Sequence, residues 1–411
     1  MTEPAAPVGL LMRSRHTNLA LLALAAGGFA IGTTEFVTMG LLPEVADGVG
    51  ISIPTAGHVV SAYAAGVVVG APVLATLGSR LPRKRLLLWL MGGFAVANGL
   101  SALASSYGLL MGARFLSGLP HGAYFGVGSL VAASLVPAHR RTWAVSMVLT
   151  GLTVANIVGV PLTTRLGQSY GWQWPYAAVS VIALVTVLAV WRWVPFCPPE
   201  GGATLRSELS ALRRPQVWFA LAIGTVGFGG MFATFSYISP TMTELGGFGR
   251  SAIPLILAVY GVGMTVGAMI AGLVSKLGLM RAICGVMGAI AVMLVLFGPA
   301  VQQGRWIAIV AVFMLGLLPS ILVPMLQTRL MDVAHEGQSL AAALNHSTLN
   351  IANALGAWLG SIVLSAGLGY EWPSRLGAIL AVLGVGIALA SASAQRRTTR
   401  RHAVRTAPAT A

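Results

Sequence analysis

Glu35 stands in the stretch Gly32-Thr33-Thr34-Glu35-Phe36-Val37-Thr38-Met39-Gly40-Leu41-Leu42-Pro43, within an apolar run long enough to cross a lipid bilayer. The other carboxylates, Glu3, Glu44, Asp47, Glu200, Glu208, Glu244, Asp332, Glu336 and Glu371, fall in predicted loops, tails or helix ends. An ionisable group at membrane depth is costly and marks a functional site by default. Low dielectric disfavours the charged form of a carboxyl, which suits it to take up and release a proton near neutral pH. The competing reading is a glutamate close enough to its helix end to reach headgroups or a neighbouring arginine. Pro43 lies about eight residues further on, a depth of about 12 Å at about 1.5 Å per residue.

A second group of chemically capable residues lies in Arg114-Phe115-Leu116-Ser117-Gly118-Leu119-Pro120-His121-Gly122-Ala123-Tyr124-Phe125-Gly126-Val127-Gly128. Arg114 falls about seven residues inside its run, so its guanidinium needs an anion, water or the headgroup region. Two readings stand for it: a partner carboxylate in a cavity, or snorkelling to the outer surface. Pro120 frees a backbone carbonyl and permits a bend. His121 is placed either to relay protons and bond substrate or to fill a satisfied structural role. The chain shows no metal-ligand spacing, no paired intramembrane carboxylates and no nucleophile beside a base. Neither an enzyme nor a cofactor or metal is therefore expected, and a proton gradient is the implied energy source.

The elements that position these residues follow from composition. Of 411 residues, 56% are hydrophobic and only 9% charged, against about 25% charged in soluble domains. The fold class is an all-α membrane protein. Twelve apolar runs are bounded by charge, Pro or Gly, at about 17–42, 53–78, 86–105, 107–136, 142–165, 175–194, 216–239, 252–275, 282–300, 306–330, 339–366 and 374–394. Helices are expected throughout, because backbone groups in hydrocarbon must be satisfied within the segment and the runs lack the alternation of barrel strands. The net charge of +15 does not mark a nucleic-acid binder, because most basic residues recur in every second loop. By the positive-inside rule, both termini and the central loop are cytoplasmic. The first run continues past any short signal-peptide core, so the segment is read as retained. Cys197 and Cys284 imply no disulfide framework.

The chain divides into a six-helix half over 1–194, a linker over 195–215, a second half over 216–394 and a basic tail over 395–411. Within the linker, Leu205, Leu209 and Leu212 share one face of a predicted interfacial helix. Tyr63-x-x-Gly66-x-x-x-Gly70 recurs as Tyr260-x-x-Gly263-x-x-x-Gly267. Gly118-Leu119-Pro120 recurs as Gly316-Leu317-Leu318-Pro319, and Tyr170-Gly171-Trp172-Gln173-Trp174-Pro175 is echoed by Gly369-Tyr370-Glu371-Trp372-Pro373. Two pseudo-symmetric halves of this kind are the mark of secondary transporters. In the fifth run, Gly151, Asn156, Gly159 and Pro161 suggest a bend and tight packing. Phe228, Phe232, Phe235 and Tyr237 of the seventh form either an apolar wall for substrate or a lipid-facing surface. Asn345, His346, Ser347, Asn350 and Asn353 of the eleventh are too polar for lipid and are expected to face inward.

On these motifs the chain resembles the major facilitator superfamily, in the drug:proton antiporter branch that includes arabinose-efflux-permease-like proteins. The resemblance covers nearly the whole chain. Its most specific parts are Gly32 to Phe36 with Gly40 to Pro43, Arg114 to Gly118 with His121-Gly122, and Gly151 to Pro161. It implies a central cavity lined by the first, fourth, seventh and tenth helices, and proton-coupled efflux of a small organic molecule by a monomer in the cytoplasmic membrane. Uptake with the same parts is the alternative. Proton coupling would fall to Glu35, Arg114 and His121. Substrate contact would fall to Glu35, Met39, His121, Tyr124, Phe232, Phe235, Asn345, His346 and Asn350. Gating would involve Ser79, Arg80, Arg83, Lys84, Pro120, Gly151, Gly159 and Pro161. The chain departs from the family pattern where Ser79 replaces an aspartate before the basic turn, and where Val160, Thr164 and Arg165 replace a glycine and a later glycine pair.

Overall fold

The computed structural model describes residues 8–78, 81–137, 140–197, 213–334 and 338–406. Ser79, Arg80 and the interfacial helix expected near 205–212 lie outside these. Among the described residues there are helices and no strands. The first six long helices are Val8–Gly40, Ile53–Gly78, Arg83–Ala102, Tyr107–Ser134, a fifth built from Arg141–Val154 and Val160–Tyr170, and Gln173–Trp193. The seventh joins Pro215–Ala222 to Phe228–Phe235, and the remainder are Ile253–Ser275, Leu279–Gln302, Arg305–Ala334, Gln338–Ser365 and Trp372–Thr406.

Three local departures from expectation have physical causes. The first helix ends at Gly40, and a separate short helix, Leu42–Val49, follows with Pro43 in its first turn. Glu35 is therefore about five residues, or about 7.5 Å, from the helix end rather than 12 Å. The fifth and seventh helices each contain a π-helical turn, Ala155–Gly159 and Ile223–Gly227. Such turns widen a helix locally and concentrate at functional sites; in the fifth helix the turn hands over to Val160-Pro161, whose missing N–H suits a restart. The twelfth helix continues to Thr406, so the basic tail extends its backbone rather than trailing from it.

Among the described residues, eleven helices are long and apolar enough to cross a bilayer. The exception is the fourth, Tyr107–Ser134, which Arg114, Ser117, His121 and several glycines make polar. Large apolar side chains such as Trp89, Leu103, Met269 and Trp306 are exposed, the last at 85%. A bilayer covers such surface, and tryptophan suits its interfaces.

The chain falls into two compact units. One comprises Met1–Gly201, Ile238–Thr243 and Gly247–Gly261; the other comprises Gly202–Tyr237, Glu244–Gly246 and Val262–Ala411. In the first, the second and fourth helices cross so closely that a Cβ on Gly66 or Gly70 would strike the carbonyl of Phe115 or Leu119, and one on Gly118 would strike that of Tyr63. In the second, Gly263 and Gly267 meet the carbonyls of Phe313 and Leu317 in the same manner. The repeated Tyr-x-x-Gly-x-x-x-Gly pattern thus encodes one backbone-on-backbone crossing used twice. Small residues let membrane helices approach this far, where dispersion and weak polar contacts replace the absent hydrophobic drive. Gly151 likewise meets the carbonyl of Ala25, and Gly159 meets Phe29 and Thr33, fastening the fifth helix to the first.

Candidate functional site: a buried arginine beside a membrane-depth carboxylate

Arg114 is fully buried. Its guanidinium is enclosed and bonded inside the first unit rather than reaching the surface, which goes against the snorkelling reading. Nor does it form an ion pair: no carboxylate lies within 4.0 Å among the described residues. Nη1 donates to Thr34 Oγ1 at 2.9 Å and weakly to Ser117 Oγ at 3.5 Å, while Nη2 donates to the Thr34 carbonyl at 3.0 Å. Cζ lies 4.4 Å from the Tyr63 ring centroid and 5.1 Å from that of Tyr176. Two aromatic faces and neutral oxygens therefore hold a cation whose weak hydration makes arginine the tolerable choice there. Among the described residues, Arg114 Nε has no acceptor.

Glu35 follows Thr34 in the first helix and is only 7% exposed. It is within electrostatic reach of Arg114, Tyr63 and Tyr260. The supporting contacts are themselves anchored. Thr34 Oγ1 donates to Asn98 Oδ1 at 2.6 Å, and Asn98 Nδ2 donates to the Phe94 carbonyl at 2.9 Å. Thr38 and Tyr176 share a hydroxyl hydrogen bond of 2.8 Å. Such anchoring fixes Thr34 as an acceptor, so the guanidinium is held against the backbone immediately before Glu35. The arrangement is a carboxyl and a neighbouring cation that are near enough to interact and are not locked together. A proton arriving at or leaving Glu35 changes the electrostatic environment of Arg114 directly.

The other expected residues divide between the units. His121 is buried, with Nδ1 3.0 Å from the Tyr63 hydroxyl and its ring packed on Phe125. Met39 is fully buried, and the Tyr124 hydroxyl is committed to the Leu24 carbonyl at 2.9 Å. In the second unit Phe228, Phe232, Phe235 and Tyr237 are all buried, which excludes their lipid-facing reading, and Tyr237 donates to the Ala357 carbonyl. Asn345, Ser347, Asn350 and Asn353 are buried as expected, and His346 is half-buried. Among the gating residues, Lys84 Nζ donates to the Trp191 carbonyl at 2.8 Å, and the Arg83 N–H to the Cys197 carbonyl at 3.0 Å. Lys84 thus places a cation on the C-terminal end of the sixth helix, where the helix dipole favours it. Pro120 is buried within the fourth helix.

Sequence reasoning passed over Thr34, Asn98, Tyr176 and the role of Tyr63. Asn98, a lone amide in an apolar run, carried a usable signal. Arg329, near the end of the tenth helix, is also buried, with Nη2 donating to Gln216 Oε1 and Gln395 Oε1 at 2.9 and 2.8 Å.

The helices and this buried polar centre define a polytopic membrane protein. Residues 24–345 match the Major Facilitator Superfamily, and the chain belongs to that family. It is 40% identical to the inner membrane transport protein YdhP of Escherichia coli O157:H7 over 385 residues, 93% of this chain and 98% of that protein. It is 32% identical to a chloramphenicol resistance protein of Streptomyces lividans, over 89% of this chain and 95% of the relative. The fold resembles that of the human organic anion transporter MFSD10, with a TM-score of 0.64 and 14% identity over 93% of this chain and 100% of that one.

Proposed function

We propose that this protein exports a small organic molecule from the cytoplasm in exchange for protons, with Glu35 as the coupling carboxylate. The carrying observation is the buried Glu35 beside an Arg114 that is held by neutral oxygens. When Glu35 is protonated, Arg114 rests on Thr34. When Glu35 is ionised, the guanidinium gains an anionic partner and its Nε an acceptor. Two charge states thus prefer two local geometries, which is the differential free energy that coupling requires. Export is supported by the relative named for chloramphenicol resistance. The basic residues of alternate loops support cytoplasmic termini by the positive-inside rule.

Inverted membrane vesicles test the reading with chloramphenicol as the probe. Accumulation is expected when the lumen is acid, and collapse is expected when nigericin removes the pH gradient. Accumulation only in right-side-out vesicles would make the protein an importer, and gradient-independent flux would make it a facilitator. Orientation is tested separately by cysteine labelling. Cys197 is a poor address because it is buried. Asp47, whose side chain is 74% exposed opposite Arg250, is a better one. In a chain lacking native cysteines, Asp47→Cys is expected to react with an impermeant maleimide on intact cells. Labelling only after lysis would reverse the topology.

A further inference from the structure

Tyr63 has both of its chemical faces occupied by groups assigned to coupling. Its ring lies under the Arg114 guanidinium at 4.4 Å, and its hydroxyl is 3.0 Å from His121 Nδ1. The residue is 1% exposed and sits at the glycine crossing of the second and fourth helices. The crossing packs the Tyr63 backbone so close to Gly118 that a Cβ there would strike the Tyr63 carbonyl. The charged and titratable groups around it are Glu35 from the first helix, Arg114 and His121 from the fourth, and Tyr176 from the sixth; Tyr260 of the eighth faces Glu35.

We infer that Tyr63 is a positioning residue that transmits the charge state of Glu35, through Arg114, to His121. The inference rests on Glu35 being the coupling carboxylate. A cation over the face of a phenol withdraws electron density from it and makes its O–H a stronger donor. With Glu35 neutral, Arg114 stays on Thr34 and over the ring, and Tyr63 donates to His121 Nδ1. That hydrogen bond requires an unprotonated Nδ1, so it holds the imidazole neutral. With Glu35 ionised, the guanidinium is drawn toward the carboxylate and the phenol weakens as a donor. The bond then reverses: Nδ1 carries a proton and donates to the phenol oxygen. Loss of a proton at Glu35 thereby favours gain of one at His121.

The test is a double-mutant cycle read by nuclear magnetic resonance on protein with 15N-labelled histidine in lipid nanodiscs, with His121 assigned by its loss in His121→Asn. Tyr63→Phe keeps the ring beneath Arg114 and removes only the hydroxyl. In the parent chain, Glu35→Gln is expected to move the midpoint of the His121 transition downward by about one pH unit. In the Tyr63→Phe background, the same substitution should move it by less than half as much. Equal shifts in both backgrounds would show that the two sites interact through space without Tyr63, and no shift in either would remove the coupling altogether. A second measurement places 3-fluorotyrosine at position 63 in the otherwise native chain, strengthening the donor, and a lower His121 midpoint is expected; an unchanged midpoint overturns the inference. Neither readout requires transport. Failure of proton-driven flux with an intact cycle would thus dismiss the proposed function alone, and an absent cycle with intact flux would dismiss this inference alone.

Discussion

Replacing Glu35 by glutamine is expected to abolish uphill transport while leaving a folded protein. The amide has the shape of the protonated acid and cannot ionise, so the chain is fixed in one of its two charge states. A gradient of one pH unit supplies about 1.4 kcal/mol per proton and sustains about tenfold accumulation in a one-for-one exchange. In proteoliposomes with an imposed gradient, that accumulation should fall to the level of empty liposomes. Binding of the probe separates coupling from simple damage. The parent protein should bind chloramphenicol more weakly as pH falls, because protons compete for Glu35. Glu35→Gln should show weak binding with no pH dependence. Full uphill transport by the glutamine variant would move the coupling role elsewhere, with His121 and His346 the next positions to test.

Arg114→Lys should cost nearly as much, although it preserves the charge. An ammonium on a flexible stem cannot donate at once to the hydroxyl and carbonyl of Thr34 while lying flat against Tyr63 and Tyr176. Hydrogen bonds from charged groups contribute about 1.5–3 kcal/mol each, and stacking on a desolvated ring adds up to about 2 kcal/mol. Loss of one such bond predicts at least about tenfold slower coupled transport and a lower unfolding temperature in detergent. Arg114→Met is the informative comparison. It removes a buried cation that has no ion-pair partner among the described residues and fills similar volume, so stability should be retained better than in the lysine variant. Coupling should nonetheless be absent. A lysine variant with parental transport and melting temperature would mean that the planar fork is dispensable.

The helices and the ionisable centre were legible in sequence for one reason: polar residues stand out against hydrocarbon. Glu35, Arg114 and the asparagines of the eleventh helix are visible because an apolar run has no other use for them. The partners were not legible. Thr34 and Arg114 lie 80 positions apart, and Tyr63 and His121 58. Threonine and tyrosine are ordinary in membrane helices, so pairing them requires the helix crossings. The crossings were half visible: the repeated glycine spacing marked two corresponding segments, but not that the second and fourth helices are the pair that meets. The aromatic face of the seventh helix stayed open between lipid and interior for the same reason. The structure buries it because Gly356, Gly377 and Gly384 let the eleventh and twelfth helices close on it.

The polarity of the fourth helix bears on how the protein enters a membrane at all. An arginine at the centre of an isolated helix costs about 2.5–3.5 kcal/mol on the insertion scale; Arg114, about seven residues inside, meets part of that cost, and Pro120, His121 and the glycines leave this helix less apolar than the others. Most of its favourable surroundings come from other segments: Thr34 from the first helix and Tyr63 with the glycine groove from the second, which emerge from the ribosome earlier, and Tyr176 from the sixth, which emerges later. The arginine that prepares the site for coupling therefore makes membrane integration a cooperative event, in which the fourth helix partitions into lipid as a guest of helices already there. A substitution that widens the groove at Gly66 or Gly70 would act during synthesis, as a failure of topogenesis, before the transporter had any substrate to move.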